Sequence, residues 1–218
     1  MITLSNLKTI TLVCLIGVGL LVQGSRAHAA GSETLTVAGG CFWCVEADFE
    51  GVEGVTNAVS GYTGGTTTDP TYKQVTGGDT GHYEAVQITF DPEVISARAL
   101  LDMFFRSVNP TDAGGQFCDR GDSYRTAIFA TPDQIAAAAD AKQDAQAALG
   151  QDIVTPVLDA AQFYPAEEYH QDYATGSGLV LTRFGPKSQA NAYKAYREAC
   201  GRDQRVKQLW GSAAPFAG

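Results

Sequence analysis

Positive charge is scarce in this chain of 218 residues, which has 15 Lys and Arg residues against 24 Asp and Glu residues. The formal net charge is −9. An acidic surface repels nucleic acids and anionic membranes, so we expect neither as a partner. Internal repeats, low-complexity segments and linkers are also absent. With 44% hydrophobic residues, this length predicts a single domain with an ample core.

Histidine is scarce as well, with three residues in the chain. Zinc sites usually combine Cys and His in spaced pairs. Here one CxxC, Cys41 to Cys44, stands without a second CxxC or an HxxxH. The pattern is a weak zinc signal, and we expect no metal site. We expect His170 to be a packed, hydrogen-bonded residue rather than a ligand.

Only one long apolar run occurs, Thr11 to Val22, and it is too short for a comfortable membrane span. Lys8 precedes it, and Ala27-His28-Ala29 resembles a signal-peptidase cleavage site. This pattern predicts a secretory signal peptide over residues 1–29, with a retained N-terminal anchor as the alternative. Residues 30–218 are then expected to be a single catalytic domain, exported to the periplasm or the extracellular space and free of the membrane.

Cysteine is sparse too, and one of the five, Cys14, lies in the apolar run. The remaining four allow three full pairings: Cys41, Cys44, Cys118 and Cys200. An exported protein meets an oxidising compartment in which disulfides persist. A catalytic cysteine there requires a dedicated electron donor.

Cys41 lies where a predicted buried strand, Leu35 to Ala38, gives way through two glycines to a helix. Free backbone N–H groups at a helix start favour an anion, so we expect the Cys41 thiol to ionise easily. Cys44 lies one helical turn on and could form a disulfide with it. Phe42 and Trp43 would supply an apolar wall. The plainer alternative is that Cys41 is a small core residue.

Elsewhere the hydrophobic pattern predicts four further strands, four further helices and two long polar loops. The strands are 55–62, 84–90, 124–130 and 153–158; the helices are 100–108, one opening at Thr131-Pro132 and ending at Gly150, 166–173, and one beyond Pro186; the loops are 63–82 and 111–122. This order predicts an α+β two-layer sandwich with a ferredoxin-like (split βαβ) core, additional helices and long loops. A C-terminal tail is expected from about residue 186 to 218.

Four polar residues border these loops and are candidates for catalysis. Glu84 opens a strand after a glycine loop, where a partly desolvated carboxyl group could donate a proton. Tyr72 and Tyr124 could stabilise a developing oxyanion through their hydroxyl groups. Asp119 follows Cys118. Each also has a plainer interpretation, as a solvated strand carboxylate, a packing tyrosine or a turn residue.

Together, six segments resemble the A-type peptide methionine sulfoxide reductases. They are Gly40-Cys41-Phe42-Trp43, Gly61-Tyr62-Thr63-Gly64-Gly65, Pro70-Thr71-Tyr72, Gly81 to Val86, Asp119 to Arg125 and Ala166 to Gln171. The resemblance covers residues 34–175. It implies reduction of the S epimer of methionine sulfoxide, free or in proteins, to methionine.

The resemblance also implies the role of each site residue. Cys41 would attack the sulfoxide sulfur, and Glu84 would protonate the sulfoxide oxygen. The other roles are hydrogen bonding to that oxygen (Tyr72, Tyr124), support of the site (Asp119) and contact with the substrate methyl group (Phe42, Trp43). The sulfenic acid left on Cys41 would condense with a second thiol, and a thioredoxin-like reductant would reopen the disulfide. No bound cofactor is required.

The sequence departs from the family at two places. Many members have glycine where this chain has Cys44, and they have a recycling cysteine in a glycine-rich tail, whereas the tail after Cys200 is not glycine-rich. Our preferred interpretation makes Cys44 the resolving thiol and pairs Cys118 with Cys200 in a structural disulfide. Closing that loop would stabilise the fold by about 4 kcal/mol. The rival makes Cys200 the resolving thiol, with Cys118 as a relay.

Other functions fit parts of the pattern. The main alternative is a general CxxC thiol–disulfide oxidoreductase, although the chain lacks the βαβ setting typical of that motif. An exported binding domain held by two disulfides is a non-enzymatic alternative.

Overall fold

The computed structural model describes residues 31–183 and 185–218. The predicted signal peptide, residues 1–29, lies outside the described residues. Residues Ser32–Gly218 form one compact unit. Among the described helices, none has the length and apolar character needed to cross a bilayer.

The α+β class predicted from the sequence is confirmed, with a central sheet and several helices. The strands are β1 Glu33–Gly39, β2 Val55–Thr63, β3 Tyr83–Phe90, β4 Gly115–Gln116, β5 Asp119–Arg120, β6 Thr126–Ala130, β7 Val157–Asp159, β8 Tyr164–Pro165, β9 Leu179–Thr182 and β10 Gly185–Ser188. The α-helices are α1 Phe42–Glu50, α2 Tyr72–Gly77, α3 Ala97–Phe105, α4 Ile135–Leu149, α5 Gln189–Ala199 and α6 Arg202–Trp210.

Six strands form the central sheet in the order β7-β6-β1-β3-β2-β8. β3 lies between β1 and β2 and is antiparallel to both. β6 is antiparallel to β1 and parallel to β7, and β8 pairs with the far edge of β2. Two hairpins, β4-β5 and β9-β10, stand apart from this sheet. The chain leaves the centre of the sheet at the end of β1, which places Gly40 and Cys41 beside the middle strands.

Alternation along the central strands separates two apolar layers. Leu35 and Val37 of β1 belong to the main core, which α1, α3 and α4 complete with residues such as Phe49 and Phe104. The next residue, Ala38, faces the opposite layer with Phe129. Successive residues of β1 therefore enter different apolar layers, and the sheet is buried on both faces at its centre.

The predicted loop over residues 63–82 contains a helix that sequence reasoning missed. α2 begins after Thr71, where Thr71 and Gln74 form a capping box. Its six residues are too few for a hydrophobic period to reveal it. The second predicted loop contains the β4-β5 hairpin and a 3₁₀ turn, Asp122–Tyr124. Tyr124 therefore lies in that turn, and β6 begins at Thr126.

Other predicted boundaries were wrong, including that of the strand predicted over 153–158, which spans Val157–Asp159. The helix predicted from Thr131 begins at Ile135, because Thr131–Gln134 forms a turn in which the Gln134 side chain accepts the Thr131 N–H. The segment predicted as a helix over 166–173 contains only a 3₁₀ turn, Glu168–His170. The helix predicted beyond Pro186 is α5, and the C-terminal region from residue 186 also contains β10 and α6. Its residues pack on the core through Val206 and Trp210.

Candidate active site

The turn between β1 and α1 fixes the position of Cys41. Gly40 has φ +83°, and a Cβ atom there would lie 2.5 Å from the Cβ of Gln116. Only glycine fits this conformation and this close approach. Cys41 is consequently the N-cap residue of α1, with its side chain facing the loops that follow β2 and β4.

Eight side chains line a pocket at this helix start, which we call the thiol pocket. They are Cys41, Phe42, Trp43, Tyr72, Glu84, Asp119, Tyr124 and Tyr196. Its volume of about 60 Å³ has room for a group of a few heavy atoms. The structure thus brings together all seven candidates for catalysis and substrate contact, which come from four separate segments of the chain.

Tyr196 is the residue of the pocket that sequence reasoning did not propose as a site residue. Its hydroxyl group donates a hydrogen bond to the Asp119 carboxylate. The two residues are 77 positions apart, and Tyr196 belongs to α5. The sequence reveals it only as one position of an amphipathic helix, so no local pattern distinguishes it from a packing tyrosine.

Glu84 is buried on β3, with 1% of its surface exposed. Its Oε2 atom accepts the backbone N–H of Phe42 at 3.1 Å, and the Tyr124 hydroxyl lies within hydrogen-bonding range of the carboxyl group. Desolvation raises the pKa of Glu84 to about 8, although those two hydrogen bonds oppose the shift. At neutral pH the group is therefore mostly protonated and can act as an acid.

The two phenols come from short elements that sequence reasoning left as loops or misplaced. Tyr72 is the first residue of α2, and its backbone N–H donates to Glu167 at 2.9 Å. Its hydroxyl group hydrogen-bonds with that of Tyr124. Burial raises the pKa of both phenols, so both stay protonated donors at any physiological pH.

Cys41 and Cys44 are free thiols, 7% and 2% exposed, and are hydrogen-bonded to each other. The expectation that Cys41 ionises easily is wrong for this state of the protein. Desolvation, then the Cys44 hydrogen bond and the charges of Cys44, Glu84 and Asp119 raise the pKa of Cys41. Glu84 also accepts the N–H of Phe42, one of the free backbone donors at the helix start.

The pKa of Cys44 moves in the opposite direction. The hydrogen bond from Cys41 lowers it most, and the positive charges of Arg202 and Arg197 lower it further, against desolvation. The pair therefore has a neutral outer thiol at the pocket and a more acidic inner thiol behind it.

The other two cysteines, Cys118 and Cys200, form a disulfide that spans 82 positions. This is the pairing of our preferred interpretation, and it occupies the thiol that the rival would use to resolve Cys41. The bond joins the β4-β5 hairpin to the end of α5, so it also brings Asp119 beside Tyr196.

An aromatic stack fixes the wall of the pocket. The Trp43 ring stacks on Tyr173 with centroids 3.7 Å apart and planes 6° from parallel. Its indole N–H donates to Nδ1 of His170 at 3.2 Å. Burial lowers the pKa of His170 to about 4, so the ring is neutral and accepts this bond. His170 is thus packed and hydrogen-bonded, as expected, and orients Trp43.

One group of three ligand-type side chains in residues 31–183 and 185–218 could share an ion, namely Glu46, Glu50 and Asp172. Cys41 and Cys44 do not belong to it. The Glu46 carboxylate already accepts hydrogen bonds from Ser60 and from the Asp172 backbone N–H. Those bonds account for its burial without a metal.

Comparison with known proteins gives one consistent result. The profile of the family "Peptide methionine sulfoxide reductase" matches residues 33–213. The chain is 47% identical over 204 residues to "Peptide methionine sulfoxide reductase MsrA 2" of Caulobacter vibrioides, covering 92% of this chain and 98% of that one. It is 44% identical to "Peptide methionine sulfoxide reductase MsrA" of Bacillus licheniformis, covering 82% and 94%.

Solved structures agree. Reduced Mxr1 from Saccharomyces cerevisiae is 34% identical, with a TM-score of 0.64 over 69% of this chain and 88% of that one. Methionine sulfoxide reductase A of Corynebacterium diphtheriae is 32% identical, with a TM-score of 0.61 over 71% and 79%. The chain therefore belongs to the A-type peptide methionine sulfoxide reductases and is an oxidoreductase that reduces methionine sulfoxide.

Proposed function

We propose that the protein reduces the S epimer of methionine sulfoxide, free or in proteins, through a sulfenic acid on Cys41. The observation that carries this proposal is the meeting of a thiol, a protonated carboxyl group and two phenols in the thiol pocket. A sulfoxide is a poor electrophile, because attack at sulfur builds negative charge on its oxygen. Donors placed at that oxygen stabilise the charge where it develops.

In the first half of the reaction, Cys41 Sγ bonds to the sulfoxide sulfur as Glu84 gives its proton to the oxygen. Tyr72 and Tyr124 donate hydrogen bonds to the same oxygen. The hydroxyl group then moves from the methionine sulfur to Cys41 Sγ: the S–O bond to methionine and the transient S–S bond both break, a Cys41 S–O bond forms, methionine leaves, and Cys41 is left as a sulfenic acid. The thiol proton of Cys41 returns Glu84 to its neutral form, so no proton is gained or lost overall.

The chirality of the substrate follows from the two sides of the pocket. Phe42 and Trp43 form an apolar side suited to the S-methyl group, and Glu84 and the phenols form the polar side suited to the oxygen. With the peptide side of the methionine held outside the pocket, only one epimer can place both groups correctly. By the family resemblance, that epimer is S.

In the second half, we propose that Cys44 attacks the Cys41 sulfenic acid, which releases water and forms the Cys41–Cys44 disulfide. Their hydrogen bond in the reduced state supports this pairing, and Cys200 is engaged with Cys118. A thioredoxin-like protein would then reduce the disulfide by exchange and itself become oxidised. Mapping of linked peptides after one equivalent of substrate tests the pairing: a Cys41–Cys200 peptide would overturn it.

Reduction of each epimer with dithiothreitol, by residues 30–218 and by the Cys41→Ser variant, tests the proposed activity. We expect turnover of the S epimer alone and none in the variant. A general thiol–disulfide oxidoreductase would instead retain disulfide-reducing activity after Glu84→Gln. Equal turnover of both epimers would contradict the proposed specificity.

We further propose that residues 1–29 are removed on export and that the protein works outside the cytoplasm. The cleavage pattern at Ala27-His28-Ala29 supports this. N-terminal sequencing of the protein from fractionated cells of its host tests it: an intact Met1 in the cytoplasmic fraction would contradict it.

The split βαβ core is likewise a proposal. The position of β3 between β1 and β2, with α1 connecting those two strands, supports it.

A further inference from the structure

Arg202, the first residue of α6, is a buried cation with incomplete hydrogen bonding. It is 2% exposed. Its Nη1 atom donates to the carbonyl oxygen of Gly39 at 3.2 Å, but its Nε and Nη2 atoms have no hydrogen-bond partner. Burying unpartnered charged donors costs free energy, so such a group needs an explanation.

The nearest counter-charge is Asp48, which Arg202 shares with a second arginine. Arg202 Nη2 lies 3.6 Å from Asp48 Oδ2, beyond hydrogen-bonding distance, and that oxygen also lacks a hydrogen bond. Arg197 Nη1 donates to Asp48 Oδ1 at 2.7 Å. Arg197 also pairs with Asp203, whose Oδ1 atom lies 2.7 Å from the Arg197 Nη2 atom. Both guanidinium groups therefore share the buried Asp48, and of the two only Arg202 has no hydrogen-bonded carboxylate.

Cys44 lies on the same face of α1 as Asp48, four residues earlier, which is one helical turn. The charged and titratable groups that influence Cys44 come from α1, β3, α5 and α6: Cys41, Asp48, Glu84, Tyr193, Tyr196, Arg197 and Arg202. Of these, the two arginines supply the positive charge. Both lower the pKa of Cys44, and Arg202 does so more than Arg197.

The Cys118–Cys200 disulfide joins the segment that carries Arg202 to the segment that the Arg202 guanidinium contacts. Cys200 precedes Arg202 by two residues, across a single left-handed Gly201. On the other side, the Arg202 guanidinium lies 4.8 Å from the ring centre of Phe117, the neighbour of Cys118. The disulfide therefore fixes where the charge sits relative to the thiol pair.

We propose that Arg202 is a positioning residue for the recycling half of the reaction, whose charge makes Cys44 the member of the thiol pair that carries negative charge. This inference rests on the proposed resolving role of Cys44. In the resolving step, Cys44 attacks Cys41 Sγ as a thiolate, the S–O bond breaks, and the oxygen leaves as water after taking up a proton. In the exchange step, the donor thiolate bonds to Cys41 Sγ and the electron pair of the broken S–S bond goes to Cys44, the better leaving group.

A titration tests the electrostatic part without reference to catalysis. In Cys41→Ser protein with the Cys118–Cys200 disulfide intact, Cys44 is the remaining free thiol of residues 31–183 and 185–218, and thiolate absorbance follows its ionisation. Adding Arg202→Gln should raise the Cys44 pKa by about one unit, which lowers the thiolate fraction about tenfold below the pKa.

Three further variants separate charge from packing. Arg205→Gln removes the same charge from the same helix and should leave the Cys44 pKa unchanged. Arg202→Lys keeps the charge and should restore most of the shift. Asp48→Asn removes the opposing negative charge and should lower the Cys44 pKa, a change of sign that general damage to the fold would not produce. If Arg202→Gln fails to fold, the Arg202→Lys and Asp48→Asn titrations decide whether the buried charges set the Cys44 pKa.

A rapid-quench experiment tests the kinetic part with otherwise intact cysteines and one equivalent of substrate. In Arg202→Gln, methionine should form at the wild-type rate, whereas loss of the Cys44 thiol should be about tenfold slower at neutral pH and recover at high pH. Equal Cys44 pKa values in Arg202→Gln and Arg205→Gln, or equal slowing of both steps, would overturn the inference. Failure of wild-type protein to form methionine would instead overturn the proposed function and leave the titration valid.

Discussion

At the scale of single residues, the chemistry depends on a carboxyl group kept neutral by burial. Glu84 has 1% of its surface exposed and a pKa raised to about 8, and it occupies the donor at the start of α1. The same burial keeps Cys41 protonated in the free enzyme. Glu84, the acid, and Cys41, the nucleophile, therefore lie in one pocket, and both are neutral before the substrate arrives.

The first prediction concerns the pH profile. Because Glu84 must be protonated to donate, kcat/KM should fall as pH rises through about 8. Glu84→Gln should remove this limb and lower kcat by about 10²- to 10⁴-fold. Glu93→Gln, at an exposed acid in the turn after β3, is the matched control and should keep the wild-type profile. A wild-type profile that stays flat above pH 8 would contradict the assignment.

Glu84 should also lower the free energy of unfolding at high pH. Its folded-state pKa lies above the unfolded value, so the folded state holds a proton that the unfolded state has lost, and stability declines as pH rises between about 4.5 and 8. Glu84→Gln should therefore raise the free energy of unfolding at pH 8 relative to wild type while it lowers kcat. Denaturant melts at acidic and alkaline pH measure this, and a destabilised variant at both would refute it.

The phenols give a third prediction. Tyr72→Phe and Tyr124→Phe should each lower kcat by about 10²-fold, because each removes one donor to the developing oxyanion. The double variant should lose less than the product of the two effects, since the hydroxyl groups interact with each other. Tyr164→Phe, on β8 outside the pocket, serves as the control. Phenylalanine variants with wild-type kcat would exclude the phenols from the reaction.

At the scale of elements, the site depends on turns rather than on long helices or strands. The Gly40 turn aims Cys41, the short α2 presents Tyr72, and a 3₁₀ turn presents Tyr124. Glu167 attaches α2 to β2 of the central sheet, because it accepts the Tyr72 N–H and the Tyr62 hydroxyl. Rigid attachment of short elements to the sheet keeps the pocket formed without substrate.

Gly40→Ala tests the first turn. The new Cβ would meet Gln116 at 2.5 Å in a left-handed conformation, so we expect a loss of about 1–3 kcal/mol in unfolding free energy and a displaced Cys41 with little activity. Gly51→Ala, at the end of α1, has open space and a compatible φ of −87°. It should be neutral or slightly stabilising. Equal effects of the two substitutions on activity would contradict this account.

At the scale of the whole molecule, the disulfide joins the C-terminal helices to the β4-β5 hairpin across 82 positions. Replacing Cys118 and Cys200 with serine should lower the free energy of unfolding by about 4 kcal/mol, by the chain-entropy argument. The double variant should still reduce the S epimer with dithiothreitol, because Cys41 and Cys44 remain. Complete loss of disulfide formation at Cys41 after one turnover would favour Cys200 as the resolving thiol.

The sequence was most informative where a pattern is local. Alternation located β2 and β3, an apolar run located β1, and the segments shared with the family identified every pocket residue except Tyr196. The short α2, the β9-β10 hairpin and α6 were missed because short helices and edge hairpins carry little periodicity, whereas α5 was predicted as the helix beyond Pro186. The pKa of Cys41 was wrong in sign because it depends on burial and on Glu84, 43 residues away in sequence. The burial of Arg202 could not be predicted from the sequence either, because it depends on the contact between α6 and Gly39 at the end of β1.

The central claim is that Cys41 takes the oxygen of the sulfoxide. The most direct measurement uses the Cys44→Ser variant with its Cys118–Cys200 disulfide intact, treated with one equivalent of the S epimer and a dione reagent that traps sulfenic acids. The account predicts one equivalent of methionine and a single adduct on Cys41, with neither formed from the R epimer. Methionine formed without an adduct on Cys41, or an adduct on another residue, would contradict it.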